Sequence, residues 1–262
     1  MDIIDFHTHA FPDNLAEKAI KTIEEKSGMK AFLNGTISSL LSSMDKNNIA
    51  KSVICSIATK PQQFESILQW SKKIRSERII PFLSIHPEDK QFKEHIEIIK
   101  KEGFKGIKLH PYYQEFDLDE QRMFPIYEEI YKNQLILVSH TGYDFAFPYI
   151  KRAGPEKIIK IKEKFSDLKL VISHLGGWKE WENVRKLLCG QKIYMEISFS
   201  LQFIDKKLAS DIINFYYEDF ILFGSDSPWG DQGQTISLLK SLNLGGKKEK
   251  LIFNKNALNL LQ

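Results

Sequence analysis

The amino-acid sequence predicts an α/β fold, a single (β/α)₈ TIM barrel. Eight short β-branched runs alternate with longer amphipathic segments along the whole chain. Strands separated by helix-length connections pair in parallel through right-handed crossovers. Several of the runs are almost continuously apolar, as is typical of strands covered on both faces. Eight such units in 262 residues fit one barrel, and an open doubly wound sheet is the alternative.

The elements follow one another without a break that would mark a second domain. Strands are predicted at 3–9, 51–57, 79–86, 104–110, 134–140, 168–174, 191–198 and 220–226. Helical patterns lie at 36–48, 61–77, 87–102, 181–190 and 247–262. Residues 11–35 form a longer first connection, a helix and a loop, which we expect to cover part of the barrel mouth. No repeat or Pro/Gly-rich linker divides the chain, so we predict one domain over residues 1–262.

Composition argues against nucleic-acid and membrane partners. The formal charge is +3 at pH 7, and the basic residues are scattered rather than clustered. No apolar run approaches the length that spans a bilayer, and the N-terminus lacks a signal-peptide pattern. Cys55 and Cys189 have no spacing that suggests a disulfide or a thiolate metal site. We therefore expect a cytoplasmic protein that acts on a small molecule.

Histidines and an aspartate gather at the carboxyl ends of the predicted strands. His7 and His9 are two residues apart in an extended run, so both side chains point to one face and can bind one small cation. His140 and His174 close apolar strands and enter glycine-containing loops. Asp226 follows the last strand, where a buried carboxylate needs a cation or several donors. Because strand ends converge on one mouth of a barrel, these residues predict a shared metal site.

The residue types restrict the metal and its chemistry. Imidazole and carboxylate without thiolate suit Zn²⁺, Fe²⁺, Mn²⁺ or Co²⁺, and we predict one divalent ion, Zn²⁺. Such an ion lowers the pKa of a bound water toward neutrality. Asp226 would contact the metal and accept the proton of that water, and His174 would polarise the substrate or orient the nucleophile. For His86 and His110, each followed by proline, a structural role is as plausible as a functional one, and His95 is expected on a helix surface.

Six segments, in order along the chain, carry a family resemblance. They are DFHTHAF, GFKGIKLHP, LVSHTG, LVISHLGG, LFGSDSPWG and NKNALNLL, and the similarity runs from residue 2 to the last helix. With these segments the chain resembles the amidohydrolase superfamily, and more narrowly the amidohydrolase-2 branch that contains aminocarboxymuconate semialdehyde decarboxylase. The resemblance implies a distorted barrel and a divalent metal. It implies the metal ligands His7, His9, His140 and Asp226, with Asp226 also the general base and His174 in contact with the metal-bound water.

Lys108 bears on the number of metal ions. Strand parity places Lys108 and His110 on one face of the fourth strand. Some binuclear amidohydrolases carry a carboxylated lysine on this strand that bridges two metals. We predict an uncarboxylated Lys108 that holds a substrate carboxylate or pairs with an acid, and therefore a mononuclear centre.

The predicted function is metal-dependent hydrolysis, in which an activated water attacks the carbonyl of an ester, lactone or amide. The substrate would be small and planar or acidic. The alternative is a non-oxidative decarboxylase (a carboxy-lyase) for an unsaturated or aromatic acid, which needs a cation at the substrate carboxylate. Lys105, Lys108 and Arg122 are the nearest cations that the sequence offers.

Aromatic and basic residues after the strand ends are candidates for substrate contact. The predicted substrate-binding residues are Lys108, His110, Trp178 and Trp229. A phosphoesterase barrel, a DNase-like amidohydrolase and a non-catalytic metal-binding scaffold fit the motifs less well. The resembled branch contains many dimers, so a homodimer is expected on that ground alone.

Overall fold

The computed structural model describes residues 2–262 as eight strands that alternate with helices. The strands are β1 (Ile3–Thr8), β2 (Ile49–Cys55), β3 (Ile79–Phe82), β4 (Gly106–Leu109), β5 (Ile136–Ser139), β6 (Leu170–Ile172), β7 (Tyr194–Glu196) and β8 (Ile221–Leu222). The helices are α1 (Asp13–Ser27), α2 (Ile37–Lys46), α3 (Phe64–Ile74), α4 (Phe92–Lys101), α5 (Phe124–Lys132), α6 (Pro155–Lys164), α7 (Trp181–Leu187), α8 (Lys206–Phe215), α9 (Gln232–Ser241), α10 (Gly246–Lys250) and α11 (Asn256–Leu261). A π-helical segment, Leu251–Lys255, joins the last two helices. Within residues 2–262 no helix combines the length and apolarity needed to cross a bilayer.

The strands form two parallel sheets in chain order, β1 to β3 and β4 to β8. Single bridges join the sheets at both seams, Leu83 with Ile107 and Thr8 with Ser227. At the second seam the His7 carbonyl also accepts the Asp226 N–H at 2.8 Å. The predicted (β/α)₈ barrel is confirmed, although strand pairing is not continuous around it.

Two apolar layers explain why the strands read as unbroken hydrophobic runs. Ile4, Phe6 and Val138 belong to an inner cluster to which α11 contributes Leu260, and a larger cluster packs the helices against the outer strand faces. Side chains on both faces of a strand are therefore buried. Gly106 permits this packing, because a Cβ there would lie 2.3 Å from the Phe82 ring.

Several strands end earlier than the sequence predicts. β3 ends at Phe82 rather than at residue 86, and β8 ends at Leu222 rather than at residue 226. The polar residues that follow the ladders have other conformations: φ is +60° at His174 and +65° at Asp226. A non-glycine residue in this left-handed region cannot continue a strand, and the conformation costs roughly 1–2 kcal/mol. The chain therefore leaves the sheet before these two residues, and their side chains project from loops rather than from strands.

A bulge in β1 decides which of its side chains face the barrel interior. The register with β2 shifts between Asp5 and Thr8. Phe6 belongs to the inner apolar cluster, whereas His7 and His9 line the cavity above it. In an uninterrupted strand Phe6 and His7 would point to opposite faces, and one extra residue removes that alternation. The bulge therefore aims both histidines into the mouth.

Candidate metal centre

A cavity of about 290 Å³ lies at the carboxyl ends of the strands. It is lined by every predicted site residue: His7, His9, Lys108, His110, His140, His174, Trp178, Asp226 and Trp229. His86 lies outside this lining, and its Nδ1 accepts the Glu88 N–H at 3.1 Å. His95 is partly buried, stacks on Phe64 at 3.8 Å and contacts Asp89 at 2.6 Å, so it is a packing residue rather than a purely surface one.

Three side-chain atoms converge at the floor of the cavity. His7 Nε2 and His9 Nε2 are 3.1 Å apart. Asp226 Oδ1 lies 3.3 Å from His7 Nε2 and 3.2 Å from His9 Nε2. Ligand atoms at about 2.1 Å from one metal ion are about 3.0 Å apart in octahedral and about 3.4 Å apart in tetrahedral geometry. The triangle of donor atoms therefore fits a small divalent cation.

The outer nitrogen of each of these two histidines faces a hydrogen-bond acceptor. His7 Nδ1 lies 2.8 Å from Glu196 Oε1, and His9 Nδ1 lies 2.8 Å from the Cys55 carbonyl oxygen. Carbonyl and carboxylate oxygens only accept, so the protons of both rings reside on Nδ1. Both Nε2 atoms then present lone pairs to the point that they share with Asp226. A cation at that point would satisfy all three groups.

His140 and His174 repeat this pattern. His140 Nε2 lies 3.1 Å from the Tyr143 carbonyl oxygen, and His174 Nδ1 lies 3.1 Å from the Ser198 carbonyl oxygen. Both rings therefore donate outward, and their inner atoms, His140 Nδ1 and His174 Nε2, face each other at 3.0 Å. Two lone pairs at this distance require a shared proton or a cation between them.

The position of His140 differs from that of the other predicted ligands. Among residues 2–262, the metal-ligand group that contains Asp226 consists of Asp226, His7 and His9. His140 instead groups with His110 and Asp144, and its ring stacks on that of His110 at 4.2 Å. Its role as a fourth ligand stays a prediction.

Glu196, which sequence reasoning did not single out, links two of the histidines. This fully buried carboxylate on β7 accepts through Oε1 from His7 Nδ1 at 2.8 Å and from the His174 backbone N–H at 3.1 Å. The Ser198 hydroxyl donates to the same oxygen at 2.9 Å. Gly224 leaves room for this group, because a Cβ there would lie 2.4 Å from Glu196 Oε2. The sequence signal was available: an acid inside the apolar run IYMEI requires buried partners.

Burial sets the ionisation of the site. It lowers the pKa of His7, His110 and His140 well below the ordinary histidine value, and the charge of Lys108 lowers that of His7 further. Burial alone would raise the pKa of Asp226, but the neighbouring histidines, His7 first, outweigh it and lower that pKa. Neutral imidazoles and an ionised carboxylate are the forms that bind metals.

Lys108 lies beside the converging donors and is completely buried. Its Nζ is 3.2 Å from His7 Nε2 and 3.3 Å from Ser173 Oγ, and burial lowers its pKa. Within residues 2–262 it is the one lysine or arginine that lines the cavity. Lys105 instead contacts the carbonyl oxygen of Gln262, and Arg122 donates to that of Glu115.

The fold and the site together define a class of protein: a (β/α)₈ barrel with an imidazole–carboxylate cluster at the carboxyl ends of its strands. A family model for amidohydrolases matches residues 4–262, and this chain belongs to the amidohydrolase family. The resemblance seen in the sequence segments is thereby confirmed. The structural neighbours of the chain include decarboxylases and a hydrolase.

Three solved structures illustrate the shared fold. A TIM-barrel protein from Bordetella bronchiseptica is 17% identical, covers 100% of this chain and 98% of its own, and has a TM-score of 0.79. A probable 2-pyrone-4,6-dicarboxylic acid hydrolase from Acinetobacter baumannii is 17% identical, with coverage of 100% and 99% and a TM-score of 0.68. A dihydroxybenzoic acid decarboxylase from Polaromonas, solved with bound manganese, is 13% identical, with coverage of 99% and 96% and a TM-score of 0.70. No match was found among curated protein sequences.

Proposed function

We propose that this protein is a metal-dependent hydrolase that acts on the carbonyl group of a small ester, lactone or amide. The proposal rests on which nitrogen atom of each histidine ring carries the proton. Four imidazole rings donate outward to protein acceptors, so their four inner nitrogen atoms and Asp226 Oδ1 face one cavity. A divalent ion bound there, Zn²⁺ in our proposal, would polarise a carbonyl and acidify a water molecule.

The protein's own residues divide the work. His7, His9 and Asp226 Oδ1 would hold the ion, with His140 as the proposed fourth ligand. Asp226 keeps its second oxygen for the proton of the attacking water and passes that proton to the leaving group. The Nδ1–H of His174 is anchored on the Ser198 carbonyl, so its Nε2 accepts a hydrogen bond from substrate or nucleophile.

Aromatic side chains would limit the access of bulk water to this chemistry. Trp178 and Trp229 line the cavity and are 7% and 6% exposed. In such a low-dielectric setting the interactions between charges are stronger than in water. We propose that these two rings, with His110, also contact the body of the substrate.

One observation favours decarboxylation as a second candidate. Lys108 is a buried cation whose Nζ lies 3.2 Å from His7 Nε2. A substrate carboxylate that approached the metal would therefore also lie near this ammonium group. A hydrolase needs no such cation when its substrate is neutral. Lys108 therefore gives the carboxy-lyase alternative a specific residue.

The two reactions are separated by assaying the metal-loaded protein on paired panels. One panel contains esters, lactones and amides, followed by acid release, and the other contains aromatic and unsaturated acids, followed by CO₂ release. We expect acid release without CO₂, and loss of that activity in Asp226→Asn. CO₂ release alone would favour the carboxy-lyase, and a metal-loaded protein inactive on both panels would contradict both.

A further inference from the structure

The cavity continues beyond the metal ligands between two helices that lie outside the ring of strands. Leu15 and Ile23 of α1, and Ile67 and Trp70 of α3, line the same cavity as Asp226. Phe11, just before α1, belongs to this lining as well. We call these five side chains the outer wall. All five are apolar, and Thr59, Gln63 and Ser66 beside them add polar groups without charge. The imidazoles, Asp144, Asp226 and Lys108 form the charged or basic part of the lining.

Charge is absent from the outer wall. Among residues 2–262 the cavity lining contains Lys108 as its single lysine and contains no arginine. Lys108 lies on the floor, with its Nζ 3.2 Å from His7 Nε2. A second anionic group on a substrate would therefore meet the outer wall without an ion-pair partner. Against this partly exposed wall a carboxylate would lose some of its hydration without gaining a partner, which is unfavourable.

We propose that the substrate has a single polar or anionic head at the metal centre and an uncharged hydrocarbon body against the outer wall. The proposal rests on the proposed function, because the metal centre is what places the head. It excludes dicarboxylates, including the compound in the name of the Acinetobacter hydrolase. Burial of the body supplies the binding energy, since each buried methylene tightens binding about fourfold.

Hydroxamates test this proposal, because they bind divalent metals whichever reaction the enzyme catalyses. Three are titrated calorimetrically into the protein loaded with Zn²⁺ or Mn²⁺: acetohydroxamate, octanohydroxamate and the ω-carboxylate analogue of octanohydroxamate. We expect octanohydroxamate to bind at least about tenfold more tightly than acetohydroxamate. We expect the ω-carboxylate analogue, which differs only at its far end, to lose at least about tenfold relative to octanohydroxamate.

A charge added to the outer wall should reverse the preference. Leu15 is 50% exposed, so Leu15→Arg is compatible with the fold and supplies the missing partner for a distal carboxylate. In this variant the ω-carboxylate analogue should bind more tightly than octanohydroxamate. Leu187→Arg is the matched control, because Leu187 is an exposed leucine of α7 that does not line the cavity. This control should keep the wild-type order of affinities.

Each outcome decides a different point. If acetohydroxamate binds and the longer alkyl chain gives no gain, or the ω-carboxylate analogue binds equally well, the substrate class is wrong while the metal centre stands. If octanohydroxamate binds the metal-loaded and the metal-free protein equally well, the apolar wall stands and the metal centre fails. If neither alkyl hydroxamate binds, both proposals fail.

Discussion

Two groups in one cavity contain the same residue types: His7 and His9 with Asp226, and His110 and His140 with Asp144. They differ in the ring nitrogen that faces the carboxylate. Asp226 Oδ1 lies 3.2–3.3 Å from the inner, unprotonated Nε2 atoms of His7 and His9. Asp144 Oδ2 lies 3.4 Å from His110 Nε2 and 3.9 Å from His140 Nε2, and the latter is the outer nitrogen that donates to the Tyr143 carbonyl. The first carboxylate is therefore placed to share a cation, and the second is placed behind its ring. Which nitrogen a carboxylate reaches, rather than residue type, separates a ligand set from a supporting set.

The largest effect should come from removing the first pair of nitrogen donors. The double variant His7→Ala/His9→Ala leaves Asp226 without its partners, so the bound metal should fall from about one ion per chain to none. Metal analysis after gel filtration measures this. His86→Ala, which changes a histidine outside the cavity, should retain the wild-type metal content. A double variant that keeps its metal would show that the ion binds elsewhere.

The second largest effect concerns the proton rather than the metal. Asp226→Asn keeps an oxygen toward His7 and His9 but cannot accept a proton, so kcat should fall by about 10²–10⁴ while much of the metal remains. Rates and metal content are measured on the same sample. Asp211→Asn, on the surface helix α8, is the control. Unchanged turnover in Asp226→Asn would contradict its assignment as the base.

The third prediction tests how His7 is held. Glu196→Gln keeps the shape of the side chain but weakens its grip on His7 Nδ1–H, and metal affinity should fall by about 10–100-fold. Competition with a chelator of known affinity measures the dissociation constant. Glu94→Gln, at an exposed position on α4, should leave this constant unchanged. Equal affinities for the two variants would mean that Glu196 serves packing alone.

The fourth prediction concerns Lys108 and the number of ions. A buried ammonium 3.2 Å from His7 Nε2 repels a neighbouring cation, so Lys108→Met should bind one metal a few-fold more tightly. Chelator competition and metal stoichiometry measure both quantities. A carboxylated, bridging lysine predicts the opposite sign, with loss of metal. Two close anomalous peaks or density for a modified Lys108 in the wild type would likewise contradict a mononuclear centre.

The smallest effect is expected in the group formed by His110, His140 and Asp144. Asp144 contacts His110 Nε2 and the outer nitrogen of His140 rather than the atoms that converge with Asp226, so Asp144→Asn should change metal affinity by less than about threefold. The same chelator competition applies. A loss as large as that of Glu196→Gln would mean that the two groups bind the ion jointly and that the distinction drawn between them is wrong.

Sequence reasoning was most successful where a pattern is local. The alternation of strand-length and helix-length apolar patterns reflects which nearby residues are buried together. This alternation predicted the barrel. The positions of His7, His9, His140, His174 and Asp226 at strand ends led to one shared cavity, because parallel topology brings those ends together. Strand ends were less accurate, since the left-handed backbone at His174 and Asp226 has no composition signal in non-glycine residues.

The chain by itself determined its family, the order of its elements and the residues that meet at the barrel mouth. Only the tertiary structure decided three further points: the bulge that turns both Phe6 and His7 inward, the contact of Glu196 with His7, and the protonated nitrogen of each ring. These points depend on atoms that lie far apart in the sequence, such as those of Glu196 and His7. A hydrogen bond depends on the positions of two partners in space. A local sequence pattern includes one partner but not the distant residue that it meets.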